Sequence, residues 1–328
     1  MKSKIHAYLI DLGISLYNVL GIAFLFSLLF EVSLKPLYVI IASVLVSGVA
    51  LLVAETPGKR LFIERETKDK LFSKVYHYVN LLTIILTIII GWVLVEIEPV
   101  EFFTGFSGTR NILRGIFNPD TTIFYFMLTE LVKTVYLALM ATLLAVPIAF
   151  LLSFFAASNL MGNSKLGKTI YTVVRTLSTV IRSIEAIVWA IIFAVWVGIG
   201  PFAGMMALMT HSIAALIKLY SEQIENIDVG PIEAITSTGA NTWQIWRYAV
   251  IPQIINPFLA FTIYRWDINV RMATIVGFVG GGGIGLQLFQ KQQMTDWNGV
   301  GMIVWLIAFT VWIMDMISAK IRKKLLNN

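Results

Sequence analysis

Long apolar runs alternate with short polar segments along most of the chain. A helix needs about 20 predominantly apolar residues to cross a bilayer, and several runs approach that length. They lie near residues 10–30, 37–54, 76–95, 131–155, 170–197, 202–220, 252–276 and 300–319. The pattern therefore predicts an all-α, polytopic transmembrane protein with about eight transmembrane helices.

The composition agrees with a membrane protein. Of the 328 residues, 58% are hydrophobic and 13% are charged, whereas a soluble domain carries about 25% charged residues. The chain has no cysteine and three scattered histidines, His6, His77 and His211. Disulfides, thiol chemistry and cysteine-ligated metals are therefore excluded, and we expect neither a metal site nor another cofactor. The first apolar run contains Asp11 and is followed by further runs, which favours a membrane anchor over a cleaved signal peptide.

Lysine and arginine positions predict the orientation, because cytoplasmic loops of membrane proteins are enriched in these residues. With eight spans, the basic loops 55–74 and 156–169 fall on one side of the membrane, together with the N-terminal MKSK and the C-terminal KIRKKLLNN. The acidic loop 96–130 and the glycine-rich loop 277–299 fall on the other side. We expect a multi-pass protein of the cytoplasmic (inner) membrane with both termini in the cytoplasm.

The polar segments suggest three parts. Residues 1–75 form an additional N-terminal hairpin with a charged cytoplasmic linker, and 76–130 form a transmembrane helix with an external loop. Residues 131–320 form the working core, which contains a polar cytoplasmic loop at 221–251. No internal repeat is visible.

Residues 231–253, PIEAITSTGANTWQIWRYAVIPQ, are unusually polar for this chain. Asp228 or Gly230 can cap a first helix, and Pro231 suits its first turn. Gly239 is placed to end that helix, near 231–238, in a left-handed conformation.

A second short helix follows the glycine. Asn241 and Gln244 have capping-box spacing, and Pro252 opens the next apolar run. The aromatic side chains between them suit a membrane interface. The pattern fits equally an interfacial helix that joins two spans and a docking surface for a soluble partner.

A family resemblance favours docking. The loop resembles the EAA signature of ABC-importer permeases, in which EAA is followed by three residues, glycine, nine residues and I-x-L-P. Glu233 and Ala234 match, Ile235 stands for the second alanine, Gly239 is the glycine and Pro252 is the proline. In that family the loop enters a cleft of a separate ATPase subunit. The resemblance implies that the contact residues are Glu233, Ala234, Ile235, Gly239 and Ala240.

The flanking segments narrow the resemblance. RSIEAIVWAIIFAVWVGIGPFAG (182–204) and YRWDINVRMATIVGFVGGGGIG (264–285) are similar to phosphonate permeases. The similarity covers about residues 125–320 and leaves the role of the N-terminal hairpin open. It implies a type I ABC-importer permease fold, a second copy of the permease, two ATPase subunits and an external solute-binding protein.

Charged residues inside the predicted spans have two interpretations. They are interhelical ion pairs and headgroup anchors, or they line a passage for a small oxyanion, which arginine suits. The candidate passage residues are Arg182, Glu185, Arg265, Asp267, Asn269 and Arg271. Arg175, nearer the cytoplasmic end, suits a headgroup anchor.

Other polar features have simpler interpretations. His211 is expected to hydrogen-bond between helices, and Lys218 to extend to headgroups. The run GGGGIG, residues 280–285, lacks the Lys-Ser/Thr of a nucleotide-binding loop. We expect it to be a flexible turn at the outer mouth.

The sequence contains no Walker A motif, so a partner must hydrolyse ATP and the chain itself is not expected to be an enzyme. Phosphonate, phosphite or a phosphate ester is the expected substrate class, with methionine or a quaternary amine as the alternative. A membrane-embedded enzyme is disfavoured because no nucleophile–base set is visible. A proton-coupled secondary transporter is disfavoured because no inverted repeat is visible.

Overall fold

The computed structural model describes residues 2–30, 40, 41, 44, 72–162 and 164–326. Every regular element of these residues is helical, which confirms the all-α prediction. The α-helices are α1 (Lys2–Phe30), α2 (Phe72–Leu94), α3 (Pro99–Thr104), α4 (Phe106–Phe117), α5 (Phe124–Phe155), α6 (Ser158–Met161), α7 (Lys165–Ser183), α8 (Ala186–Val197), α9 (Pro201–Glu225), α10 (Val229–Ser237), α11 (Thr242–Ile245), α12 (Ile251–Val276), α13 (Gly283–Gln293) and α14 (Trp297–Leu326). A 3-10 turn, Thr121–Ile123, precedes α5, and π-helical turns, Trp246–Val250 and Gly277–Gly281, flank α12.

The chain divides by its internal contacts into two units, Met1–Gly105 and Phe106–Asn328. In the first unit α1 packs against α2, and Asn18 Nδ2 donates to Thr83 Oγ1 at 2.9 Å. A hydrogen bond of this kind stabilises helix association where no water competes for the two groups. The division of the chain near residues 75 and 130 stays a prediction.

In the second unit α5, α9 and α12 pack around a core of small side chains. Small residues at helix interfaces let the backbones approach closely. The buried alanines are Ala138, Ala141, Ala145 and Ala149 of α5, and Ala203, Ala207 and Ala214 of α9. Farther along α9, the Tyr220 ring stacks on Phe258 of α12 with centroids 4.0 Å apart, and Tyr220 Oη lies 2.6 Å from Thr262 Oγ1.

Within the described residues, four helices are long and apolar enough to cross a membrane, and up to six if each of two bent pairs counts as one span. The four are Leu9–Leu29, Thr121–Phe155, Pro201–Glu225 and Trp297–Leu325. The bent pairs are Lys165–Ser183 with Ala186–Val197 and Trp243–Gly281 with Gly283–Gln293, and Tyr78–Leu94 is a shorter apolar helix. Each predicted run except 37–54 overlaps one of these helices, and 37–54 lies almost entirely outside the described residues.

The run predicted as one span over 170–197 is broken at Ile184 and Glu185 into α7 and α8. The helices α7 and α8 meet at 91°. Ile184 and Glu185 are extended, with ψ of 121° and 149°. The bend frees carbonyls at the end of α7, and Trp189 Nε1 of α8 donates to Ile181 O at 3.2 Å.

The glycine run 280–285 is not the flexible turn that its composition predicted. Its residues are buried and connect the π-helical turn Gly277–Gly281 to the start of α13. A Cβ on Gly282 would lie 2.7 Å from Pro201 Cγ, and one on Gly280 would lie 2.6 Å from Ile199 Cγ2. The missing side chains therefore serve close packing against the α8–α9 junction, which composition alone does not distinguish from flexibility.

Candidate functional site

The helices α10 and α11 form a bent pair that follows the local signals in the sequence. The side chain of Asp228 caps α10 by accepting from Gly230 N at 3.0 Å. Gly239 follows with φ of 78°, in the left-handed region. Asn241 N donates to Gln244 Oε1 at 2.8 Å, and Gln244 N donates to Asn241 Oδ1 at 3.0 Å, so the capping box is formed as predicted.

The base of this pair is fixed to α12. Gln253, in the first turn of α12, accepts from Asp228 N at 2.8 Å and donates from Nε2 to Asp228 O at 3.2 Å and Ala249 O at 2.8 Å. Ile227 and Ile232 pack against the buried cluster that contains Tyr220. The bent pair is therefore held to the start of α12 by hydrogen bonds and to the buried cluster by apolar packing.

The other face of the pair is open. Glu233, Ala234 and Gly239 are exposed, whereas Ile235 and Ala240 are partly buried. Trp243 is 71% exposed, so its large aromatic side chain is available to a partner or to the membrane interface. We name the residues 229–248 the coupling surface.

The end of α9 that leads into the coupling surface is also anchored. Arg175 Nη1 of α7 donates to Glu225 Oε1 at 2.8 Å and to Tyr171 Oη at 2.8 Å. Glu225 Oε1 also accepts from Ser158 N at 2.7 Å, and Asn159 Nδ2 donates to Ile224 O at 2.9 Å. Arg175, which sequence reasoning treated as a headgroup anchor, is therefore an interhelical ion-pair residue.

The six candidate passage residues form two separate groups. In the first group, Arg265 is buried and donates from Nε to Ser212 Oγ at 2.9 Å. Arg265 Nη2 also pairs with Nδ1 of His211, as the expectation of an interhelical hydrogen bond required. Asn269, fully buried, donates from Nδ2 to Ser212 Oγ at 2.8 Å and Thr142 Oγ1 at 2.9 Å. This network joins α5, α9 and α12.

Arg182 and Glu185 border the first group from the two sides of the α7–α8 break. Both are exposed, and both lie near enough to His211 to act on its charge. Glu185 also acts electrostatically on Arg265. The break therefore places the exposed carboxylate of Glu185 near His211 and Arg265, and the exposed Arg182 near His211.

The second group faces α14. Asp267 is 2% exposed, and its Oδ2 lies 2.5 Å from Nη2 of the exposed Arg271. Asp315 and Arg322 of α14 act electrostatically on Asp267. Arg265 and Asn269 lie one turn apart and therefore share one face of α12, and Asp267 and Arg271 share a face in the same way. The two pairs are offset by two residues along the helix, so they occupy different faces. No sequence signal pointed to Ser212 and Thr142 as the partners of the first group, or to Glu225 as the partner of Arg175.

Comparison with known proteins identifies the family to which the chain belongs. Residues 149–323 match the family described as the binding-protein-dependent transport system inner membrane component. The match covers more than half of the chain, so the chain belongs to this family: it is the permease subunit, in the inner membrane, of an ABC importer, and the family implies an ATPase partner and a binding protein.

Within this family, the chain is similar in sequence to phosphite and phosphonate permeases and similar in fold to a solved ABC transporter. The chain is 30% identical over 251 residues to the putative phosphite transport system permease protein HtxC of Stutzerimonas stutzeri, covering 76% of this chain and 88% of that protein. It is 40% identical over 119 residues to the putative cryptic phosphonate transport system permease protein PhnE2 of Escherichia coli strain K12, covering 36% of this chain and 98% of that protein. The inward-facing MetNI methionine ABC transporter is similar in fold, with a TM-score of 0.54 at 20% identity over 63% of this chain and 99% of that chain. The type I permease fold is thereby confirmed.

Proposed function

We propose that the chain conducts small phosphorus oxyanions, namely phosphonate, phosphite or phosphate esters, into the cell. Two copies of the permease pair with two ATPase subunits, and an external binding protein delivers the ion. The similarity of the chain to phosphite and phosphonate permeases carries the proposal.

The three faces of α7 support an anion pathway. One face packs inward, through residues such as Tyr171 and Val174. A second, exposed face is apolar: Leu166, Val173, Leu177 and Val180. The third carries cations and hydroxyls one turn apart: Lys168, Thr172, Arg175, Thr179 and Arg182. A helix with an apolar stripe and a separate cationic stripe suits a position between lipid or protein on one side and a hydrated passage on the other.

We place the substrate-contacting part of the proposed pathway at the break that ends this stripe. Broken helices occur at membrane depth only where they are buried in protein or line a cavity, and transporters use such breaks at their substrate sites. Arg182 and Glu185 would face the ion. Arg265 and Asn269 would hold α12 in place beside it. Arg271, oriented by Asp267, would supply a further cation.

The coupling surface is the proposed docking site of the ATPase subunit. Its exposed residues Glu233, Ala234 and Gly239 would enter the ATPase, together with the edges of Ile235 and Ala240. ATP hydrolysis there would move α9 and α12 through the anchors at Glu225 and Gln253. On this proposal the isolated chain hydrolyses no ATP.

Methionine or a quaternary amine is the second candidate substrate. The similarity of the fold to the methionine transporter favours it, but at 20% identity only the fold carries over. A cationic stripe attracts an oxyanion and repels a quaternary ammonium group. We therefore keep the oxyanion as the proposed substrate.

Uptake by the assembled transporter tests the substrate. Permease, ATPase and binding protein are reconstituted in vesicles, and ATP-dependent uptake of radiolabelled phosphite, methylphosphonate, methionine and glycine betaine is measured. We expect uptake of a phosphorus oxyanion only. Uptake of methionine or glycine betaine, with none of either oxyanion, would reject the proposed substrate class.

A further inference from the structure

A small cavity between α7 and α9 is lined by three basic side chains, Arg175, Arg182 and Lys218. Its volume is about 60 Å³, and its wall includes the hydroxyls of Ser178, Thr179 and Ser221. We propose that the cavity binds one tetrahedral phosphorus oxyanion, which is a free ion or the phosphate of a lipid headgroup. The inference rests on the proposed function where it equates the free ion with the transported substrate class.

The charges in the cavity are incompletely neutralised. In the part of the chain that the structure describes, the Arg182 guanidinium has no hydrogen-bond or ion-pair partner. Lys218 Nζ lies 3.7 Å from Glu222 Oε1, and both side chains are more than 40% exposed, so that pair is weak. Guanidinium groups match the oxygens of phosphate and phosphonate with paired hydrogen bonds. An entering oxyanion therefore finds donors that are not already used.

The hydroxyls in the wall favour an oxyanion that carries a proton. Ser178 Oγ donates to Val174 O at 2.7 Å, and Ser221 Oγ donates to Lys218 O at 3.0 Å. Because their hydrogens are used within the helices, these oxygens offer acceptors to the cavity. Hydrogen phosphate can donate to them, whereas sulfate has no proton to donate at neutral pH. We infer that the site prefers phosphate over sulfate.

An oxyanion in the cavity competes with Glu225 for Arg175. Arg175 lines the cavity and also forms the ion pair that holds the end of α9 to α7. The α10 cap, Asp228, follows Glu225 by one turn. Occupation of the cavity therefore weakens an anchor of the coupling surface, which gives an anion on the coupling-loop side a route to slow transport.

Titration calorimetry tests the site on the full-length chain in nanodiscs of neutral phosphatidylcholine. The titrants are inorganic phosphate and sulfate at matched ionic strength. We expect phosphate to bind more tightly than sulfate. Arg182→Gln and Lys218→Gln should each weaken phosphate binding by about tenfold. Arg110→Gln removes one exposed positive charge on α4, outside the cavity, and should leave the affinity unchanged.

Glu225→Gln tests the competition. Its Oε1 can still accept from Ser158 N, but its charge no longer attracts Arg175. Phosphate affinity should rise about threefold, the order expected when a partly exposed ion pair stops competing. An unchanged or weaker affinity would contradict competition at Arg175, and a merely structural role of the ion pair would not tighten binding.

The retained lipid distinguishes a headgroup phosphate from a free ion as the source of the oxyanion. If the site takes a lipid phosphate, native mass spectrometry should show phosphatidic acid, whose phosphomonoester carries a proton near neutral pH, retained by the wild type and lost from Arg182→Gln, with no phosphate binding in the calorimeter. If neither phosphate affinity nor lipid retention depends on Arg182 and Lys218, the site is overturned. Phosphite uptake alongside that result leaves the proposed function standing, whereas site-dependent phosphate binding without any oxyanion uptake rejects the function alone.

Discussion

The hydroxyl of Thr134 joins two parts of the chain that are 150 residues apart. Its Oγ1 donates to Glu130 O at 2.8 Å and accepts from Ile284 N at 2.8 Å, at the start of α13. Thr134 is 2% exposed, and a Cβ on the neighbouring Gly283 would collide with its side chain. The glycine and the threonine are therefore needed together to seat α13 against α5.

Thr134→Val tests this contact while keeping the shape of the side chain. It leaves the buried Ile284 N–H without an acceptor, which costs roughly 1–3 kcal/mol. We expect a lower apparent melting temperature of the purified protein in detergent. Thr129→Val is the matched control, because Thr129 on the same helix is exposed and bonds only to Tyr125 O. Equal melting temperatures for the two variants would mean that the contact does not stabilise the fold.

Asp296, between α13 and α14, makes the stability of the protein depend on pH. Lys291 Nζ donates to its Oδ2 at 2.7 Å and Gly299 N to its Oδ1 at 2.9 Å. The hydrogen bonds from Lys291 and the Gly299 backbone lower the pKa of Asp296 below its ordinary value. A lowered pKa contributes stability that is present above about pH 3.9, the unfolded value, and is lost as the pH falls through the folded value.

Asp296→Asn keeps an acceptor for Gly299 N but loses the charge. We expect the wild type to melt at a higher temperature than this variant at pH 7, and the difference to shrink as the pH falls below about 3.9. Melting curves of both proteins between pH 7 and about 3 measure it. A difference that stays constant or grows in acid would contradict the role of the carboxylate.

At the scale of elements, the sequence predicts those features whose causes are local. The caps at Asp228 and Asn241 and the left-handed Gly239 depend on neighbours within three residues, and all are formed. The apolar runs likewise correspond to helices wherever the structure describes them, although the run 170–197 is divided between α7 and α8.

The features that the sequence did not predict depend on contacts that helical periodicity does not describe. The α7–α8 break is stabilised by a hydrogen bond from Trp189 to the carbonyl of Ile181, eight residues earlier in the chain. The glycine run is compact because Pro201 and Thr134 approach it. Periodicity and composition describe one segment at a time, so they contain no information on which segment approaches another.

Gly239 tests whether the bend between α10 and α11 matters. Its φ of 78° suits glycine and tolerates asparagine, but strains a β-branched residue. No atom would obstruct a Cβ there, so a substitution acts through the backbone alone. We expect Gly239→Val to reduce ATP-driven uptake by the reconstituted transporter at least about fivefold, since the strain costs roughly 1–2 kcal/mol, and Gly239→Asn to retain most of it. Equal uptake by both variants would show that the angle of the bend is unimportant.

At the scale of the second unit, α9 and α12 connect the break to the coupling surface. Both helices contribute to the buried network of Arg265, Ser212 and Asn269. Each is also anchored near the coupling surface, α9 through Glu225 and α12 through Gln253. On the proposed function, a displacement of the coupling surface would be transmitted to the α7–α8 break through two packed helices rather than through a flexible loop.

Reversing the charge of Glu233 tests transmission from the ATPase. Glu233 is exposed on α10 and has no role in the core, so Glu233→Arg should leave expression, membrane insertion and melting temperature unchanged. A reversed charge at a docking interface costs roughly 2–5 kcal/mol, so we expect ATP-dependent oxyanion uptake to fall at least about tenfold. Copurification of the ATPase with the permease should fall with it.

Glu98→Arg is the matched control, because Glu98 is an exposed glutamate in the first unit, and it should transport as the wild type does. Wild-type uptake by Glu233→Arg would reject the coupling surface as the ATPase docking site. Loss of uptake with undiminished ATPase binding would place the defect after docking, in the movement of α9 and α12, and would direct the search to the anchors at Glu225 and Gln253.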